Sequence, residues 1–513
     1  MIPIQRRSFL NSTATGLGLA GLLRSLGPLR ADETAIAPGI ARFSSEIEPL
    51  VRFLEDTPRD KVIEETARRI KSGLSYRQLL AALLLAGVRN VQPRPSVGFK
   101  FHAVLVVNSA HLASLSGLDE ERWLPILWAV DNLKGSQARD EQEGNWTLPA
   151  VDEAALPSAA NCASELRRAL EQWDEAAADT AITSVVRELG ANHVFDLLAE
   201  YAARDFRSIG HKVIYLSNAF RTLQTIGWEY AEPVARSLVY ALLNHNGEPN
   251  PASGELAPDA SGKMNWQRVA SLKEFHSGAG QGTNEADDAA TQELVQTLHN
   301  SSPDEASGQV IELLGAGVST QAIWDGLFAS AGELLMRQPG IVALHAVTTT
   351  NAMRYAFATT GQQATRKFLL LQNASFLSHF RLAAEGRGEL RDLRITDLAS
   401  QASAQTLSQA PPATAAAEAF DAMGSSRVEA SQQAYDYLAA GGDPQSIVDH
   451  ARRLVFLKGD DSHDYKFSSA ALEDYRGMSP QWRNRFLAAS MVQLCSPHQA
   501  TRPLVQRIVG ALS

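Results

Sequence analysis

The stretch His211–Leu243, HKVIYLSNAFRTLQTIGWEYAEPVARSLVYALL, decides the fold class. Val213, Leu216, Phe220 and Leu223 recur at three- and four-residue intervals, and after a short break so do Val234, Leu238 and Leu242. That period lays one apolar stripe along a helix; a half-buried strand would instead alternate apolar and polar residues. The same spacing continues towards both ends of the chain. Before the quoted stretch it marks Ile47–Leu54, Lys61–Ser72, Tyr76–Leu85, Ala163–Trp173, Thr180–Leu189 and Val194–Ala203. After it come Gln292–Leu298, Ala306–Leu314, Thr320–Leu335, Ala364–Ala383, Ala416–Asp421, Arg427–Ala440, Gln445–Phe456, Phe467–Asp474 and Ser479–Leu494. The fold expected is all-α, a multi-helix assembly of helical hairpin-like repeats that could close round a central pocket.

Start and stop signals agree. Ser75 precedes one periodic segment, Ser479-Pro480 opens the last helices with proline in the first turn, and Gly441-Gly442-Asp443-Pro444 separates two helical stretches. Three stretches poor in apolar residues, Asn246–Lys263, Ser277–Ala289 and Ser400–Ala415, read as surface connections. They divide the chain into a helical lobe over 32–245, a polar loop region over 246–290 and a second helical lobe over 291–513.

Residues 1–31 are read as a twin-arginine export signal. Arg6 and Arg7 stand before Ser8, Phe9 and Leu10, and a small-residue apolar run from Thr13 to Leu23 follows. That run is too short and too rich in glycine for a spanning helix, which needs about 20 apolar residues. The expectations are cleavage near Ala31, the twin-arginine translocase as an export partner, and a periplasmic or secreted mature protein with no membrane span. This route carries proteins already folded, often with a cofactor inside.

Composition narrows the function. With 45% apolar residues the chain can bury a sizeable core, and a formal net charge of -10 with no basic tract argues against nucleic acid as a partner. Two cysteines, Cys162 and Cys495, exclude a disulfide scaffold and a thiolate metal site and leave at most one disulfide. No G-x-S-x-G elbow, phosphate-cradling G-x-x-x-x-G-K-[ST], G-x-G-x-x-G after a strand, H-E-x-x-H, C-x-x-C or C-x-x-C-H occurs, so the common hydrolase, nucleotide-binding and haem-attachment readings lose their support.

A recurring segment in which histidine opens a helix remains. His102-Ala103-Val104 with Asn108 and His345-Ala346-Val347 with Asn351 share H-A-V-x-x-x-N, His211-Lys212-Val213 is followed by Asn218, and His463 heads a helix in Asp460-Asp461-Ser462-His463. For any one of them a helix cap or a buried hydrogen bond is the simpler role. Taken together, repeated helices closing round a centre could bring His102, His211, His345 and His463 together as metal ligands, with His211, His345 and His463 as the catalytic residues. Iron or haem is the cofactor considered. His211 and Asn218 are one heptad apart, whereas the other two pairs are six residues apart, about 120° round the helix, so the asparagines suit interhelical hydrogen bonds better than ligation. Asp131, Lys134 and Gln137 read as a solvated helix face, His379 and Arg381 as core or surface, and Asp460 and Asp461 as a helix cap.

The segment from Ala343 through His345, Ala346, Val347 and Asn351 to Arg354 and Tyr355 resembles the questin oxidase-like family. So does the segment from Asp460 through His463, Tyr465 and Phe467 to Asp474. That family is helical, and its named members oxidise polyketide-derived aromatic compounds. The resemblance implies an oxygenase-type reaction, with His102, His211, His345 and His463 at the family's histidine-led helices. The function expected is an exported oxidoreductase acting on a small organic, aromatic substrate in a histidine-lined pocket. Its rivals are a non-catalytic helical repeat protein that binds a ligand or protein partner, and a metal-independent enzyme with one histidine as base. The first reading needs at least two of the histidines beside a shared, apolar-lined cavity.

Overall fold

A computed structural model describes residues 39–93, 99–115, 119–243, 248–272, 285–399 and 414–513. Within them helix follows helix and no strand forms; the only extended pairing is a single antiparallel bridge between Ile40 and Pro149. The chain is all-α. None of the described helices is long and apolar enough to cross a membrane.

Local chemistry explains the helix starts. Ser75 accepts from the backbone of Gln78, whose side chain bonds back in a capping box, and Ser302 and Glu305 do the same at Pro303–Gly315. Asp443 caps Pro444–Lys458 through the Gln445 amide at 3.0 Å. Asp461 accepts from the His463 amide at 2.7 Å, which gives that acid the cap role expected of it.

The buried apolar side chains form one cluster from Ala41 to Ile508, drawing on both expected lobes. Neighbouring helices pair through short connections, as in Cys162–Gln172 with Glu175–Glu188 and Ile341–Thr359 with Gln363–Glu385. Polar ties cross the core as well. Arg236 meets Asp179 through two bonds of 2.8 Å, and the Lys212 ammonium meets Asp205 at 2.7 Å with both side chains fully enclosed.

Three sequence expectations differ from the structure. The first is the Asn246–Lys263 stretch, which turns helical at Ala257 and continues to Val269. Its burial is polar: Asp259 is 2% exposed and accepts from Arg207 at 2.7 Å, Ser261 meets His379 Nε2 at 2.7 Å, and just beyond the stretch Asn265 bonds Gln372 at 2.8 Å and Ser375 at 3.0 Å, so apolar content misjudged it. Gly262 makes the close approach possible, because a Cβ there would lie 1.9 Å from the Arg204 carbonyl oxygen. The second is Asp131, Lys134 and Gln137, which are not a solvated face. Asp131 pairs with Arg59 at 2.7 Å, and the Lys134 ammonium bonds the carbonyls of Leu54 and Glu55 and the Gln137 side chain, closing the C-terminus of the Glu48–Asp56 helix. The third is Ser277–Ala289, whose end belongs to the Glu285–Leu298 helix. Cys162 and Cys495 are both buried and free. The export signal over residues 1–31 and nearly all of Ser400–Ala415 lie outside the described residues.

Candidate metal centre

Four helices meet in a ring. Those at His102–Leu105 and Ile341–Thr359 lie diagonally, each packed against both His211–Ile226 and Ser462–Gly477. At the N-terminal end of this ring the four sequence-singled histidines face inward. Ring centroids are 4.9 Å apart from His102 to His211, 4.6 Å to His345, 5.3 Å on to His463 and 4.5 Å back to His102. His102 and His211 open their helices and His463 is the second residue of its own, whereas His345 lies a full turn inside.

Glycine sets the closest approach. Gly210, with φ +82°, caps the His211 helix, and a Cβ on it would stand 2.0 Å from Thr349 Oγ1 on the His345 helix. Ser217 Oγ donates to the Ala352 carbonyl at 3.0 Å two turns further on.

One ring nitrogen from each of His102, His211 and His345 lies within 4.8 Å of the others, and all three side chains are buried. His211 Nε2 is 3.1 Å from His102 Nε2 and 3.2 Å from His345 Nε2. An ion bound at about 2.0–2.1 Å by imidazoles separates them by about 2.9 Å at right angles and about 3.3 Å at the tetrahedral angle. The observed spacings fall between these values. They suit a single ion, and they leave no slab between the imidazole tips for a porphyrin.

Proton bookkeeping strengthens this. His211 Nδ1 faces the Ser208 carbonyl at 2.8 Å and His345 Nδ1 faces the Ile341 carbonyl at 2.6 Å. A carbonyl only accepts, so both Nδ1 atoms carry the proton and a neutral ring turns a bare Nε2 towards the centre. Burial holds His345 well below the ordinary histidine range, as do the neighbouring His211 and Lys466 charges; His102 is lowered in the same way, by burial first and then by Lys466. The His211 and His345 Nε2 atoms thus face each other across 3.2 Å with both Nδ1 protons directed away to carbonyls. A cation among the three nitrogens satisfies all of them.

His463 stands beside the trio. Its Nδ1 is 3.2 Å from Asp461, a carboxylate–imidazole pair that orients the ring. Above the histidines, and lined by none of them, is a narrow cleft with a volume of about 10 Å³, room for about one water molecule, whose walls include Asn108, Asn218, Asn351, Arg221, Glu473 and Lys466. Its lining is mainly polar, not apolar as expected. Two of the three asparagines bond between helices: Asn218 donates to the Leu105 carbonyl at 3.0 Å, and Asn351 to Asp474 at 2.7 Å and Glu473 at 2.9 Å. Arg221 joins Asn351 at 3.1 Å and Glu473 at 2.7 Å.

Sequence reasoning passed over Lys466, Arg221 and Glu473. Lys466 carried a signal: it follows His463 by one turn on a helix whose neighbouring positions are apolar, and it is 2% exposed. His379 and Arg381 lie away from this centre. His379 Nε2 meets Ser261 Oγ at 2.7 Å over the Phe206 ring, and Arg381 donates to the Ser301 carbonyl at 3.0 Å. No protein-family model, curated protein or solved structure matches this chain.

Proposed function

We propose that this chain is a metal-dependent oxidoreductase of the oxygenase type. His102, His211 and His345 hold one ion, and an organic substrate, aromatic on the family resemblance, is oxidised at the foot of the cleft. The observation that carries the reading is the convergence of three buried imidazole Nε2 atoms, two with their Nδ1 protons fixed on carbonyls. A redox-active ion such as iron would supply electron transfer between the substrate and dioxygen. The chain's own groups orient and exclude. Ser208 and Ile341 carbonyls fix two ligand rings, Asp461 fixes the His463 ring as a proton carrier beside them, and the surrounding helices keep water from the centre.

The Arg6-Arg7 segment belongs to the same proposal: it would send the folded, metal-loaded protein through the twin-arginine translocase to the periplasm. The test is metal analysis with an absorption spectrum on protein exported from its native host, beside a His211→Ala, His345→Ala double variant. Near-stoichiometric transition metal that the double variant lacks supports the reading. A metal-free protein whose stability the double variant leaves unchanged returns the chain to a non-catalytic binding protein or a cofactor-free enzyme.

A further inference from the structure

Lys466 stands out among the side chains that line the cleft. Its ammonium lines the floor of the histidine cleft, its side chain is 2% exposed, and Nζ has no hydrogen-bond partner among the described residues. Burial lowers the Lys466 amine to about 7, so near neutral pH it exchanges between amine and ammonium, and an anion arriving beside it would hold the charged form. The one carboxylate that favours its charge, Asp461, acts through space and is already engaged with the His463 amide and ring. The other acids near the cleft are unsuited. Glu473 is bound by Arg221 and Asn351, and burial raises the Asp474 carboxyl well above the usual carboxylate range.

Charge balance then becomes decisive. Three neutral imidazoles bring no negative charge to a divalent ion, and Lys466, unpartnered at Nζ, stands one helical turn beyond His463 on the cleft wall. A cation bound in so buried a place favours an anionic partner, and the cleft brings solvent to the Lys466 side of the centre.

We propose that the centre takes its ligand as an anion, held between the metal position and the Lys466 ammonium. The chemistry is a singly charged donor group, either a small inorganic anion or the phenolate or carboxylate end of an organic substrate. In the second case the charged end enters first, and Leu112 and the buried Ile214 are the apolar side chains of the cleft nearest to hand for the organic body. Lys466 is thus a positioning residue. This inference rests on the metal reading above, and the two can fail separately.

The experiment uses the full mature chain loaded with ferric iron, with azide as the probe and its charge-transfer band as the readout, in wild type, Lys466→Met and Lys466→Gln. Metal content is measured first, and both substitutions are expected to leave it unchanged. Azide is expected to bind the wild type and to bind each variant at least tenfold more weakly. Benzoate that displaces azide competitively identifies the organic end as the source, and failure to compete identifies a small inorganic anion. Equal azide affinity in fully loaded wild type and a folded variant, or no azide binding to the loaded wild type, overturns the anion site and leaves the metal reading standing. A chain that takes up no metal overturns both.

Discussion

Replacing Gly210 with alanine tests whether the close approach of two helices builds the centre. The residue sits at φ +82°, where a side chain costs about 1 kcal/mol or somewhat more. Its new Cβ would lie 2.0 Å from Thr349 Oγ1, 2.7 Å from Cγ2 and 2.8 Å from Cβ. The Thr349 Cβ belongs to a packed helix and cannot rotate away, so the His211 and His345 helices must separate. Overpacking of this kind costs about 1–3 kcal/mol, which with the backbone strain totals about 2–4 kcal/mol. Urea unfolding of the metal-free protein measures it, and a Gly210→Ala, Thr349→Gly double variant should recover about 1 kcal/mol or more, since it removes the clashing atoms and leaves the strain. Separation also moves His211 Nε2 from the partners it now meets at 3.1 and 3.2 Å, so Gly210→Ala should bind metal at least tenfold more weakly. A variant within about 0.5 kcal/mol of wild type, or one with unaltered metal affinity, would refute the reasoning.

Further outcomes follow from other buried groups. Lys212→Met strands the enclosed Asp205 carboxylate and should cost about 3–5 kcal/mol in urea unfolding; a loss under 1 kcal/mol would mean that the pair is not desolvated. Burial pushes the Asp325 carboxyl up to about 6, above the ordinary carboxylate range, so the folded state holds its proton more tightly than the unfolded chain and that advantage is lost as pH rises from about 4 through 6. Asp325→Asn lacks this dependence and still accepts from the Ser479 amide and Gln321, so its stability relative to wild type should rise by about 2–2.5 kcal/mol between pH 4 and pH 7. A relative stability that is flat across that range would contradict it. Asn218→Ala loses a bond to the Leu105 carbonyl, which should cost about 1 kcal/mol and leave metal content intact; loss of metal would place Asn218 among the ligands.

Helix was legible because burial of one apolar stripe imposes its period wherever the interior is apolar, as in Val213, Leu216, Phe220 and Leu223. It was not legible at Ala257–Val269, where Asn265 is buried by hydrogen bonds and composition gives the opposite signal. The convergence of the four histidines was readable as a repeated segment, and so was the role of Asn218 and Asn351 between helices. Their order round the ring depends on packing between helices far apart in sequence, as His102 and His463 show. Lys134 and Lys466 make the same point from the other side. A lysine reads as solvated until the fold supplies its surroundings, here helix-end carbonyls for Lys134 and an enclosed cleft floor for Lys466.

The central claim is that His102, His211 and His345 hold one metal ion. X-ray absorption on the loaded protein addresses it directly, because imidazole rings give a distinctive outer-shell scattering pattern. The expected result is one ion per chain with at least three imidazole nitrogens at about 2.0–2.1 Å, falling to no more than one in the His211→Ala, His345→Ala variant. An ion surrounded by oxygen donors alone, or the same spectrum in both proteins, would contradict it.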